Sequence, residues 1–386
     1  MPAIELQDVR VFEVRKPRMR VVHICDDFVT GGIESVVMDL CGALQAKDIE
    51  TSVLFLYGRD EYPQRERTAE VKPLGMERRI RMDPRGIARL KSLCTLMRPT
   101  VFHCHGYYSA LAPILLRLFG VRVPVVYTVH AELQHWGWKS DFLIRRVSRW
   151  ADVVTALSPP AADCIHKLTG GRITPHVVMN GINPNRATPA MGFSRELKRQ
   201  NMGVSPGTLV FIMVATLFNR KDHPTLFRAF AKALPQLGDA RLWLVGDGDQ
   251  RAPLEALAAS LGIAENTVFL GIRSDVIELL AASDVFVLSS HIEGIPISLI
   301  EAAFTGLPII ATELGGLAYL QRQGLPILLV KERDVTDLCN RLLEMLDNSR
   351  RSALASSLRS SAHGLFLIQR AAEDYMQLYR RLSPAN

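Results

Sequence analysis

Short runs of apolar, β-branched residues alternate with amphipathic stretches along most of this chain, and that alternation limits the fold more than any other feature. Residues 20–25, 50–56, 101–104, 123–129, 153–157 and 177–179 have strand length and strand composition. Between them apolar residues recur at helical spacing, first at positions 33, 36, 37, 40 and 44, then across 87–97, 111–119 and 142–150. Residues 182–206 lose the pattern and collect Asn183, Pro184, Asn185, Pro189, Gly192, Gly203 and Pro206, so they read as an interdomain linker. A second alternating unit follows, with strands expected at 208–215, 241–245, 267–270, 284–288 and 308–311, and an amphipathic helix at 368–382. Strand–helix–strand units impose a parallel sheet covered on both faces. The chain therefore reads as α/β, with two tandem Rossmann-like, doubly wound domains facing a central cleft. Its 386 residues are long for one core. The expected division is 1–190, 191–365, and a terminal helix in 366–386 that packs back on the first domain.

Polar residues and glycines suited to ligand contact follow the ends of these strands: Gly31, His105, His130, Lys221, Gly246, Glu293 and Glu313. Ligands of open α/β sheets bind at that edge. The densest stretch is 289–301, where a strand end, a loop with Glu293 and Gly294, and a helix start succeed one another. Ser298 and Glu301 fit a capping box, which would place the start of the helix. Free N–H groups at a helix start suit a phosphate. Two acids with seven residues between them, one on the loop and one in the first turn, can face one cleft. That arrangement suits a ligand with a diphosphate and two polyhydroxyl ends. A plainer alternative has Glu301 capping the helix and Glu293 solvated. Gly31 and Gly32 lie between a strand and a helix, where backbone turns sharply or approaches a ligand.

Charge is uneven. Residues 1–190 hold 26 Lys+Arg against 19 Asp+Glu, so this half carries the whole net charge of +7. The densest basic part, Arg65 to Arg98, suits an anionic membrane surface or a phosphate-bearing acceptor; a solvated basic face is the alternative. No nucleic-acid-binding motif accompanies it, and no nucleic-acid partner is expected. The six cysteines include no Cys-x-x-Cys pair, which predicts reduced thiols in a cytoplasmic protein and neither zinc nor a disulfide framework. The polar start predicts no secretory signal, and no apolar run reaches the roughly 18 residues of a spanning helix.

The second half resembles glycosyltransferase family 4, which has the GT-B architecture. The matching residues are Asn219 to Leu226, Leu244 to Gly248, Ala282 to Val285, and Glu293-Gly294 spaced from Glu301-Ala302, with Gly306 to Pro308 behind. In the first half Gly31 to Glu34, Thr128 to His130, Ala151 to Val153 with Ser158, and Asn180 to Ile182 fit the same family. The resemblance spans roughly residues 20–380. It implies retaining transfer of a sugar from a nucleotide sugar, without metal or other cofactor, to a lipid-linked or polysaccharide acceptor. With its basic first half facing the membrane, the protein is expected to make peripheral contact with the inner face. Carried over residue by residue, Lys221 neutralises the diphosphate with Arg220 assisting. Glu293 and the amides of Gly294 and Ile295, beside Pro296, hold the transferred sugar, and Glu301 holds the ribose. Gly31, Gly32 and Gly246 let backbone approach the donor, while His130 and His105 line the acceptor side. Thr216 stands where many members carry an arginine, which keeps open a catalytically degenerate scaffold that binds nucleotide sugar. A sugar-nucleotide epimerase of the same architecture is the enzyme alternative; it would need no acceptor. Hydride transfer is disfavoured, because neither half has Gly-x-Gly-x-x-Gly after its first strand.

Overall fold

The computed structural model describes residues 19–26, 31–56, 70–73, 84–130 and 138–383. The first sheet contains β1 (Arg20–Cys25), β2 (Glu50–Phe55), β3 (Glu70–Pro73), β4 (Val101–Cys104), β5 (Val125–Val129), β6 (Val153–Ala156) and β7 (His176–Val177), in the order β3-β2-β1-β4-β5-β6-β7. The second contains β8 (Leu209–Val214), β9 (Ala240–Val245), β10 (Thr267–Gly271), β11 (Val285–Leu288), β12 (Ile309–Thr312) and β13 (Ile327–Val330), in the order β10-β9-β8-β11-β12-β13. Every strand pair is parallel. The two sheets thus repeat one winding, and together they form the two-domain GT-B fold.

In such a sheet the strand order reverses once, and the loops on either side of the reversal diverge to leave a crevice. The reversal lies between β1 and β4 in the first sheet and between β8 and β11 in the second. The loops bearing Lys221 and Glu293 follow β8 and β11. The central strands, β1, β4 and β5 in the first sheet and β8, β11 and β12 in the second, are buried on both faces, as their near-continuous apolar runs require.

The chain crosses between domains twice at one place. Ile182 N donates to Phe366 O at 2.9 Å, and Ile368 N donates back to Ile182 O at 3.2 Å. The terminal helix Ile368–Leu382 then packs against Val21, Leu40 and Val126 of the first domain. Two buried tyrosines anchor it. The Tyr379 hydroxyl lies 2.6 Å from His103 Nδ1, and Tyr375 lies 3.0 Å from Thr128 Oγ1. Burial pushes both phenols above their usual range, so they remain neutral donors.

The structure departs from the sequence expectations at several points. No capping box forms at Ser298 and Glu301. Pro296 takes the N-cap position, without a side-chain cap, and the helix is Ile297–Thr305. Proline's fixed φ and missing N–H suit that boundary, and Glu301 is turned to Arg186 instead. The second part of the expected linker is ordered structure. Helix Arg195–Asn201 docks on the second domain, where Arg195 and Arg199 pair with Asp284 and also bond carbonyls of residues 281–283. Strands β3 and β13 are additional to those expected. Much of the basic stretch from Arg65 falls in residues 57–69 and 74–83, outside the described residues. All six cysteines are free, with Cys94 and Cys164 only half-buried.

Tyr379→Phe keeps the packing volume but leaves His103 Nδ1 buried without a partner. We expect a stability loss of about 1–3 kcal/mol by urea unfolding. An unchanged midpoint would show that the anchor is apolar packing alone.

Candidate active site

Lys221 ends a short helical turn, Asn219–Lys221, after β8. Its Nζ lies 2.5 Å from Glu293 Oε1, and the same oxygen accepts from Ser290 Oγ at 2.6 Å. Both charged side chains are largely buried, at 14% and 10% exposure. Asp222, the next residue, has φ 48° and caps helix His223–Leu237 through a 3.4 Å bond from Thr225 N. The Ser289 hydroxyl donates to the carbonyls of Lys221 and Asp222, tying the β11 loop to the β8 loop. Cation and carboxylate are thus held by neighbouring loops on a rigid edge.

The first domain closes against this edge. A Cβ on Gly294 would lie 2.4 Å from the carbonyl oxygen of His130, and one on Gly32 would lie 3.2 Å from Ile297. Glycine at these positions therefore permits contact between domains. Gly31 is the N-cap of helix Gly32–Gln45 and, like Pro296, provides no side-chain cap. Two helix starts lacking side-chain caps meet at the cleft, and both dipoles favour an anion there. The Glu34 carboxylate folds over Gly31, as a Cβ there would meet it at 2.5 Å. Gly246 adopts φ 129°, where a Cβ would strike the Ala215 carbonyl at 2.1 Å; this glycine brings the β9 loop against the β8 loop.

Glu301, on helix Ile297–Thr305, receives Arg186 Nη1 at 2.9 Å, while Arg186 Nε reaches Asp39 Oδ2 at 3.0 Å. Arg186 thereby joins the first helix of one domain to the Glu301 helix of the other. Sequence reasoning missed Arg186, because it lies where the periodicity fails. It also missed Ser290, although the spacing Ser-x-x-Glu to Glu293 is readable. Ile295 is buried beneath the loop. Arg220 is exposed, with its guanidinium over the Phe218 ring at 5.8 Å; its carbonyl accepts from the His291 amide. Thr216 is also exposed. Glu313, expected at the same edge, donates its amide to Val330 O.

On the first-domain side, His105 and His130 are joined ring to ring, Nδ1 to Nε2, at 3.0 Å. His105 Nε2 lies 3.0 Å from His23 Nδ1. Neither His23 nor His103 was singled out from the sequence, because an apolar strand masks an inward-facing histidine. Burial pushes His23 down to about 3 and His130 to about 4, and holds His103 and His105 well below the usual range. These rings are neutral at neutral pH. His223, beside Lys221, is pushed down to about 4, chiefly by burial.

The model of the family described as Glycosyltransferase Family 4 matches residues 30–186, and that described as Glycosyl transferases group 1 matches residues 194–362. Among curated proteins, the chain is 27% identical to UDP-Gal:alpha-D-GlcNAc-diphosphoundecaprenol alpha-1,3-galactosyltransferase of Escherichia coli, over 77% of this chain and 79% of that protein. It is also 27% identical to N-acetyl-alpha-D-glucosaminyl L-malate synthase of Bacillus anthracis, over 72% and 74%. Among solved structures, Anabaena HepE in complex with UDP-glucose superposes with a TM-score of 0.81 at 20% identity, covering 94% of this chain and 100% of that one.

Two outcomes follow from this geometry. Gly294→Ala cannot keep the approach to His130, so the domains should separate. We expect a larger radius of gyration in solution scattering with little change in unfolding midpoint; an unaltered profile would contradict the close-approach argument. The depressed histidines bind protons only on unfolding, so their contribution to stability is present above about pH 6.5 and lost as pH falls toward their folded values. Between pH 6.5 and 5, unfolding free energy should drop by up to about 1.4 kcal/mol per pH unit for each such ring. A flat profile would mean that these rings take up protons in the native state just as they do in the unfolded chain.

Proposed function

The chain belongs to glycosyltransferase family 4, and on that premise we propose that it transfers a hexosyl unit, with retention, from a nucleotide sugar to a lipid-linked or saccharide acceptor. The observation that carries this reading is the Lys221–Glu293 pair beside two helix starts without side-chain caps. In the proposed complex the diphosphate lies between those helix starts, and Lys221 turns from Glu293 alone to share the phosphate charge. Bond cleavage then develops negative charge on the departing diphosphate, and this preformed positive site lowers the barrier. Glu293, released in part, accepts hydrogen bonds from the sugar hydroxyls, with the Gly294 and Ile295 amides beside it. Glu301 takes the ribose. No protein nucleophile is invoked, and the departing diphosphate itself removes the acceptor proton. Lys221 and the backbone dipoles supply the positive charge, so the reaction is proposed to need no metal. The working division remains 1–190, 191–365 and 366–386, with closure of the domains over the donor.

A membrane-facing acceptor side is supported by three neighbouring helices of the first domain, Pro84–Met97, Tyr107–Leu116 and Trp138–Trp150. Leu96, Leu118, Phe119, Phe142 and Trp150 on or beside them are exposed. Cations are interleaved with these groups: Lys91 lies over the Phe119 ring and Arg146 over Phe142, and Arg145, Arg146 and Arg172 lie close enough to Arg149 to repel it. Apolar groups set among cations match an anionic lipid surface. Among the described residues no helix is long and apolar enough to cross a membrane. The Escherichia coli relative is named for a diphosphoundecaprenol-linked acceptor, which agrees with this face.

Thermal unfolding with EDTA against a panel of nucleotides and nucleotide sugars tests the donor site. One nucleoside diphosphate series should stabilise the protein, by about 2.7 kcal/mol at about 100 times its dissociation constant. Lys221→Ala should lose that gain, and transfer should fall at least about 100-fold in Lys221→Ala and Glu293→Ala. Binding without turnover across acceptors would favour the scaffold, and a converted donor without acceptor would favour the epimerase. Sedimentation with anionic vesicles should retain the wild type and release Leu118→Ala/Phe119→Ala/Trp150→Ala. If the wild type stays unbound, a water-soluble acceptor, as in the malate synthase relative, takes precedence.

A further inference from the structure

The geometry points to His105 and His23 as positioning residues that set the tautomer of His130, so that His130 offers an N–H, and not a lone pair, to the ligand cleft. The inference rests on the reading that His130 lines the cleft. It starts from three rings in a line. His23 Nδ1 meets His105 Nε2 at 3.0 Å, and His105 Nδ1 meets His130 Nε2 at 3.0 Å. His103 packs its ring on His105, with centroids 4.2 Å apart. Its own nitrogens are taken by Thr128 and Tyr379, so the line does not branch there.

A neutral imidazole has one donor and one acceptor. Two consecutive nitrogen-to-nitrogen bonds must therefore run in one direction, and all three rings must share one tautomer. In one state every proton is on Nδ1, His23 Nε2 is bare, and His130 Nδ1 carries N–H. In the other every proton is on Nε2, and His23 Nε2–H finds no acceptor among the described residues. His23 is fully buried, and its Nε2 has no partner among the described residues. Buried orphan N–H groups are rarer than under-used acceptors, which selects the first state. His130 is half-buried where Gly294 meets its carbonyl, and among the described residues its ring is hydrogen-bonded through Nε2 to His105, which leaves Nδ1 outermost. The outer nitrogen therefore donates to an oxygen of the bound donor or acceptor. In this state His130 cannot act as a general base, in keeping with a mechanism that leaves that role to the diphosphate.

Histidine-selective 15N NMR of the ligand-free wild-type chain tests this directly and needs no activity. His23, His105 and His130 should all appear as neutral Nδ1–H tautomers, with couplings across the two N–H···N bonds. An Nε2–H His130, a doubly protonated ring, or ring nitrogens shifted by a bound cation would overturn the proposal. The last outcome is a real competitor, because nitrogens of His23, His103 and His105 lie within 4.8 Å of one another. In the second arm, His105→Phe keeps the ring volume but removes the donor to His130. His130 should then populate both tautomers, and kcat should fall about tenfold, equivalent to about 1.4 kcal/mol, with donor KM within about twofold. His105→Asn, which restores an amide donor, should recover most of the loss. Unchanged kcat in a folded His105→Phe would overturn the positioning role. If transfer itself proves absent, the tautomer spectra still decide the relay.

Discussion

All strands in both sheets run in one direction, so every connection out of a carboxyl end leaves from the same edge of its sheet. The rest of the molecule depends on that constraint. A parallel sheet cannot be closed by hairpins, so helices must carry the chain back and cover both faces. The carboxyl edge is left to loops, and where the strand order reverses those loops part. In the second sheet the parting loops carry Lys221 and Glu293, which meet at 2.5 Å with both side chains largely out of water. A buried pair of this kind costs desolvation that its own attraction only partly offsets. Its value is in geometry, because it holds a cation and a carboxylate ready at the edge where a ligand must enter.

The two domains are fitted to each other by backbone approach as well as by side chains. Gly294 touches the His130 carbonyl and Gly32 touches Ile297 because neither carries a Cβ. Arg186 spans Asp39 and Glu301 across the same junction. The chain crosses at Ile182 and returns at Phe366 to Ile368, hydrogen-bonded to itself at the crossing. The terminal helix then becomes part of the first domain's core through Tyr375 and Tyr379. Because the two crossings are hydrogen-bonded to each other, the domain closure proposed above would bend both together. The charged contact that such a movement would alter, Arg186 with Glu301, involves a residue proposed to bind the donor.

The first domain contributes neutral chemistry where the second contributes charge. Its inward-facing histidines are buried so deeply that protonation is unfavourable, and they organise through donor–acceptor direction. A line of neutral rings transmits a tautomer without moving charge through a low-dielectric core, where an isolated charge would be costly. On the opposite side of the domain, Leu118, Phe119 and Trp150 stand among arginines at the surface. The domain therefore combines a buried line of neutral rings with a basic, partly apolar exterior.

The sequence by itself determined the architecture and most of the residues at the edge. The period of apolar residues dictates strand or helix locally, and alternation of the two leaves a parallel doubly wound sheet as the stable arrangement. The residue after each strand is legible for the same reason: position along a strand is a local property, so Gly31, His105, His130, Lys221, Gly246 and Glu293 could be placed at one edge before any contact was known. What only the tertiary structure decided are pairings between residues far apart in the chain. Lys221 with Glu293, Arg186 with Asp39 and Glu301, and His23 with His105 join segments 72 to 147 residues apart or link different domains. The failed capping box has the same origin, since Glu301 was drawn off by an arginine 115 residues away. Periodicity carries no information about such pairs, because each depends on how two independently formed surfaces meet.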